Sequence, residues 1–270
     1  MCLDKKRNEI CKFSKILDTK DTMKYITSLQ NLEIKELVAL QTVKGRLKYK
    51  KCLFQGLRTI ETGLNSCLKL DKIYVTEENL SKIAPLVSPG QIILISEQVS
   101  QKIGTVKESS GLVATFFIPD ALPIEQLSAG LVLAQVSDPG NMGTLIRTAA
   151  ACGVKNVVVV DGVDAWNPKV IQATAGAIAL VNIFDISWSG LVSSKKNLKL
   201  YGLVVENGSS ITRVNSSESL IVVGNEAHGL PLEWQKECDY LVTLPMPGNT
   251  ESLNASIAGS IALYLAYVKF

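Results

Sequence analysis

The sequence contains a single histidine, His228, and its six cysteines (Cys2, Cys11, Cys52, Cys67, Cys152 and Cys238) are scattered with no C-x-x-C pair. Structural zinc and iron–sulfur sites need clustered thiolate and imidazole ligands, so neither has a framework here and no metal is expected. A chain of 270 residues does not depend on a disulfide scaffold, and reduced thiols in a cytoplasmic protein are the expectation. Long apolar runs are missing too. The N-terminus MCLDKKRNEICKFSK lacks the apolar stretch of a secretory signal. Leu253 to Val268 is too short to cross a bilayer and is interrupted by Asn254 and Ser256. Internal repeats and low-complexity tracts are absent.

What is present is divided unevenly. Residues 1–117 carry 19 Lys/Arg against 12 Asp/Glu, whereas residues 118–270 carry 9 against 13. A basic half joined to a mildly acidic one suits a polyanion-binding module attached to a different working domain, although solvated surface charge gives the same count. Residues 1–22 are polar and basic without periodicity and read as a flexible arm. From 23 to 118, a helix capped by Asn31 and short β-like runs (Cys52–Phe54, Ile73–Val75, Ile92–Ile95, Val113–Phe117) alternate with helical ones, giving a small α/β unit. Residues 119–130 (PDALPIEQLSAG) read as a linker. From 131 to 270 the apolar, β-branched runs Leu131–Val136, Val157–Val160, Val181–Phe184, Leu200–Val205, Leu220–Gly224 and Leu241–Leu244 suit a parallel sheet covered on both faces.

Ligands of such sheets gather where the strands end, and three segments there stand out. DPGNMGTLIR, residues 138–147, follows the first of these strands, with Gly140 and Gly143 permitting close approach and Asn141 and Arg147 offering polar groups. No Gly-Lys-Ser/Thr follows, and the G-x-G-x-x-G spacing is absent, so it is neither a P-loop nor a dinucleotide fingerprint. The second segment, GNEAHGL, runs from Gly224 to Leu230 around Glu226. The third, LPMPGNTESLNAS, leaves the last strand at Leu244 and enters a terminal helix with Thr250 or Glu251 near its cap. Each alone is a glycine-rich turn after a strand.

In order and separation, DPGNMGTLIRTAAACGV, VVGNEAHGL and LPMPGNTESLNASIA resemble the three motifs of the SpoU/TrmH RNA 2′-O-ribose methyltransferases. WNPKVIQATAGAI resembles that family's segment after its second strand, with Gln172 where many relatives carry arginine. ITSLQNLEIKELVAL and KKCLFQGLRTIETGL resemble its N-terminal substrate-binding domain, similar in fold to ribosomal protein L30e. The resemblance implies an α/β, trefoil-knotted parallel-sheet (SPOUT) methyltransferase domain preceded by a small L30e-like α/β domain, and a homodimer joined through the knot and terminal helix; the lack of a long apolar run leaves no membrane partner expected. It implies S-adenosyl-L-methionine as methyl donor, with S-adenosylhomocysteine as product. Gly224, Leu244, Met246 and Leu253 would hold the adenosyl group.

The same resemblance places the reactive constellation at Asn141, Arg147, Glu226, Ser252 and Asn254. A guanidinium stays protonated in proteins, so Arg147 is expected to bind a phosphate and stabilise charge on the 2′-oxygen. Glu226 and Asn141 would orient it, and Ser252 and Asn254 would position loop and substrate. The proton acceptor stays open between Arg147, phosphate and water. Lys44, Arg46, Lys48, Lys50, Lys51 and Arg58 are the candidate RNA contacts. His228 is read as incidental, and Cys152 and Cys238 as packing residues. Ribosomal RNA is the expected substrate. Transfer RNA, or a non-catalytic RNA-binding or assembly role, are the alternatives.

Overall fold

The computed structural model describes residues 23–104, 110–211, 214, 217–248 and 251–268. The expected basic arm, residues 1–22, and Thr250 lie outside the described residues. The chain divides between Ile118 and Pro119 into two compact units.

The first unit runs β1 (Tyr25–Ile26), α1 (Leu32–Ala39), α2 (Val43–Tyr49), β2 (Lys51–Gln55), α3 (Leu57–Leu64), β3 (Leu70–Val75), α4 (Glu77–Ile83), β4 (Ile92–Ile95), α5 (Glu97–Ile103) and β5 (Leu112–Phe117). Its sheet has the order β1-β4-β3-β5-β2, with β1, β4 and β3 parallel and β5 antiparallel to both β3 and β2. Asn31 caps α1 as its residue type predicts, accepting from Glu33 N. Ile34 and Leu37 of that helix bury against Leu53, Tyr74 and Ile93. Lys44, Arg46 and Lys48 of the candidate RNA contacts fall on α2, which forms because Thr42 accepts from Gly45 N and Lys50 closes the helix at φ 51°.

The second unit runs β6 (Gly130–Ala134), α6 (Pro139–Ala151), β7 (Asn156–Val160), α7 (Pro168–Ala173), β8 (Asn182–Asp185), α8 (Trp188–Ser194), β9 (Lys199–Leu203), β10 (Ser209–Ser210), β11 (Ser219–Val223), α9 (Leu232–Glu237), β12 (Tyr240–Thr243) and α10 (Ala255–Tyr267). All neighbouring strands are parallel, in the order β10-β12-β9-β11-β6-β7-β8. Every residue of β6, β7 and β11 is buried, as strands covered on both faces must be. Leu122, Ile124 and Leu127 of the segment read as a linker pack onto this unit's core.

The chain leaves β6 outward to β7 and β8, then returns on the other side to lay β11 between β9 and β6. The order therefore switches direction beside β6, and the carboxyl ends of β6 and β11 open a crevice there. After β12 the chain ends in α10, which packs against α6 and β11. α10 packs so closely that a Cβ on Gly259 would fall 2.5 Å from Leu145 and 2.8 Å from Val223. Its last turn is latched by Tyr267, whose hydroxyl lies 2.7 Å from Ser219 O and 3.1 Å from Gly130 O, at the first residues of β11 and β6.

Candidate active site

Asp138 caps α6 by accepting from Asn141 N, and Pro139 occupies the first helical turn, where a missing N–H costs nothing. The helix thus begins before the two glycines rather than after them. Gly143 lies inside α6, where a Cβ would meet Ala173 Cβ at 2.4 Å and Val170 O at 2.8 Å; its lack of a side chain lets α7 close on α6. Gly224, directly after β11, makes a similar demand, since its Cβ would strike Gly229 C at 2.4 Å. The loop between them closes on itself through Asn225 N to Gly229 O, 3.0 Å, and Gly229 N to Asn225 O, 2.9 Å.

This closure projects Glu226 across the crevice to the loop leaving β6. Its carboxylate accepts from Ser137 N (3.2 Å), Ser137 Oγ (2.9 Å), Asp138 N (3.0 Å) and Asn141 Nδ2 (3.1 Å). Partial burial alone would raise the Glu226 pKa, but the N–H groups of Asp138, Glu226 itself and Ser137, with the Asn141 amide, hold it down to about 2. Glu226 is therefore an ionised brace at neutral pH rather than a proton acceptor. Asn141 extends the chain of bonds, its Oδ1 accepting from Asn254 Nδ2 at 3.2 Å. Asn254 in turn caps α10, accepting from Ser256 N (2.9 Å), Ser256 Oγ (2.7 Å) and Ile257 N (3.3 Å). The cap of the terminal helix is thus Asn254, not Thr250 or Glu251. The three segments singled out by sequence meet through Glu226, Asn141 and Asn254.

Beside this cluster lies a cavity of about 290 Å³, lined by Leu203, Val223, Leu244, Met246 and Leu253 and by residues 224–229. All four residues expected to hold an adenosyl group line it, and so do Glu226 and Ser252. Apolar walls beside the polar Asn225, Glu226 and Thr243 suit a flat heteroaromatic ligand whose edge forms hydrogen bonds. The strand-end residues Leu203 to Val205 also line it and were not singled out in the sequence, where they read as an ordinary strand ending. His228 lines the cavity as well, which its reading as incidental had passed over. Cys238 stays a packing residue: burial, then Asp239 and Glu237, push its thiol up to about 12.

Arg147 stands apart. It is exposed on α6, nine residues into the helix, and its side chain makes no hydrogen bond or ion pair among the described residues. Glu226 and Asn141 do not orient it here, because their bonds are spent on the β6 loop and on Asn254.

The cation set of the first unit separates into two kinds. Lys44, Lys48, Lys50 and Arg58 are exposed. Arg46 is only 2% exposed, with Nη1 donating to Leu40 O at 2.8 Å. Lys51 is paired with Glu36 at 2.8 Å and Asp71 at 2.9 Å. Arg46 and Lys51 are thus corrected from RNA contacts to supports of the first unit, because α2 turns Arg46 to its inner face and Lys51 opens β2 between two carboxylates.

Residues 128–264 match the model of the SpoU rRNA Methylase family, and residues 31–114 match an MRM3-like substrate binding domain. The chain is 30% identical over 250 residues to the 23S rRNA (guanosine(2553)-2′-O)-methyltransferase RlmP of Bacillus subtilis, covering 90% of this chain and 98% of that protein. A solved RNA 2′-O ribose methyltransferase superposes with a TM-score of 0.75 at 29% identity, covering 90% of this chain and 97% of the other. An AdoMet-bound rRNA methyltransferase from Sinorhizobium meliloti shares the fold, with a TM-score of 0.80 at 24% identity over 90% and 97% of the two chains. With matching models on both units and three motif loops joined at one crevice, the chain belongs to the SpoU rRNA methylase family.

Proposed function

We propose that the crevice at the β6–β11 switch is where this SpoU-family enzyme methylates a ribose 2′-hydroxyl of ribosomal RNA, with S-adenosyl-L-methionine held in the adjoining cavity. The carrying observation is the bonded series Glu226–Asn141–Asn254 set against that cavity. When bound, the cofactor supplies a methyl group on a sulfonium, an electrophile that needs neither metal nor covalent intermediate. Gly224, Leu244, Met246 and Leu253 would hold its adenosyl part. Glu226, ionised and fully engaged, holds the β6 loop and Asn141. Asn254 ties α10 to Asn141 in the first turn of α6, and Ser252 stands at the cavity wall to position the ribose. Arg147, uncommitted among the described residues, would bind the neighbouring phosphate and stabilise negative charge on the 2′-oxygen.

The homodimer belongs to the same reading. α10 has two faces: Gly259, Ala262, Leu263 and Ala266 are buried within the unit, while Ile257, Ile261, Tyr264 and Leu265 are each between 40% and 49% exposed. An apolar stripe left in solvent supports a second copy as its cover. Labelled S-adenosyl-L-methionine incubated with separated ribosomal and transfer RNA, followed by mapping of the label, tests the function. Label on a ribosomal 2′-oxygen is the expected result, and failure to bind the cofactor overturns the reading.

A further inference from the structure

Gln135 follows β6 with φ 58°, a left-handed conformation that side-chain-bearing residues avoid. Its N–H donates to Val160 O at 2.8 Å. Its carbonyl accepts from Asn225 Nδ2 at 2.9 Å, across a sequence separation of 90 residues. This turn throws the following backbone into the position from which Ser137 N and Asp138 N reach Glu226. Asn225 meanwhile serves the cavity side with its other atom, Oδ1 accepting from Ala227 N at 2.9 Å and His228 N at 3.2 Å.

We infer that Asn225 is a positioning residue for methyl transfer: its amide holds Gln135 in the left-handed turn and so couples the cofactor loop to the loop that leads into Asn141 and α6. The inference rests on the proposed assignment of cavity and reactive cluster. Each half of the Asn225 side chain has a separate task, the oxygen shaping the loop beneath the cofactor and the nitrogen setting the reacting loop. Closure of residues 225–229 does not need the amide, because reciprocal backbone bonds already provide it.

Asn225→Ser tests this, because a serine hydroxyl keeps a local acceptor for the turn but is too short to reach Gln135 O. Gln135→Gly supplies the second arm, since glycine takes a positive φ without strain. Asn225→Ser is expected to lower kcat about tenfold, from one lost hydrogen bond to a strained turn, while cofactor Kd stays within about twofold. Adding Gln135→Gly is expected to restore most of that loss, and Gln135→Gly alone should stay near wild type. Amide hydrogen exchange at Ser137 and Asp138 should quicken in Asn225→Ser and slow again in the double variant, a readout that needs no turnover. Unchanged exchange and kcat in Asn225→Ser, a loss confined to cofactor affinity, or a double variant as impaired as the single one overturns the inference. A wild type that transfers no methyl group to any RNA overturns the functional reading instead, and the exchange arm still decides the role of Asn225.

Discussion

The two units assemble their functional groups in opposite ways. In the second, polar residues 85 and 113 positions apart in sequence come within hydrogen-bonding distance, because a parallel sheet delivers all its strand ends to one edge. In the first, cations that are neighbours in sequence are dispersed: α2 turns Arg46 into the protein, while Lys44 and Lys48 stay in solvent. Topology concentrates distant residues, and helical periodicity separates adjacent ones. Closeness in sequence is therefore a poor guide to a shared site in either direction.

The sharpest way to break this contrast is Arg147→Ala, which is expected to lower single-turnover methyl transfer about a hundredfold to a thousandfold with cofactor affinity unchanged. Arg147→Lys keeps charge without the planar fork; full activity in that variant would sink a fork-dependent role. Next, Glu226→Gln should cost about tenfold to a hundredfold in kcat by loosening the β6 loop. Its folded pKa is depressed, so its contribution to stability is present above the ordinary value of 4.5 and is lost as pH falls through about 2. The Tm gap between wild type and Glu226→Gln should accordingly shrink across that window, as calorimetry would read, and a constant gap would refute the brace.

Ile257→Asp with Ile261→Asp should convert a dimer to a monomer in sedimentation velocity, and a monomeric wild type would refute the proposed cover for α10. The smallest effects divide the cations. Lys48→Ala should weaken RNA binding and reduce the log–log salt slope by about 0.7–0.9. Arg46→Ala should leave that slope alone and cost about 2 kcal/mol of stability in denaturant titration, through the lost buried bond to Leu40 O. If Arg46→Ala changed the salt slope, the first unit's inward and outward cations would not be distinct.

Much of the fold was readable from residue patterns. The β-branched runs located the main strands, and Asn31 marked its helix correctly. The short β1 and β10 escaped because two residues carry no periodicity. α2 was hidden by its lysines, whose charge drew more notice than the cap at Thr42. The start of α6 read as a glycine-rich turn, whereas Pro139 fits a first helical turn and Gly143 serves helix packing. At the site, resemblance named residues of which Glu226, Asn141 and Asn254 meet in the structure, but it did not give their bonds. That Glu226 would grip backbone N–H groups rather than Arg147 depends on the distance between two loops, which no single segment encodes.

The Tyr267 latch has a consequence for how the molecule comes into being. Its bond to Gly130 O joins residues 137 apart, so one of the first strands of the second unit keeps an open end until residue 267 has been synthesised. Closing so long a span late carries an entropic cost and slows folding. The same separation works in reverse once the latch is shut, because α10 must detach before the central strands can part. Maturation should then be slow and dissolution slower, with the rate set by the last turn of one helix.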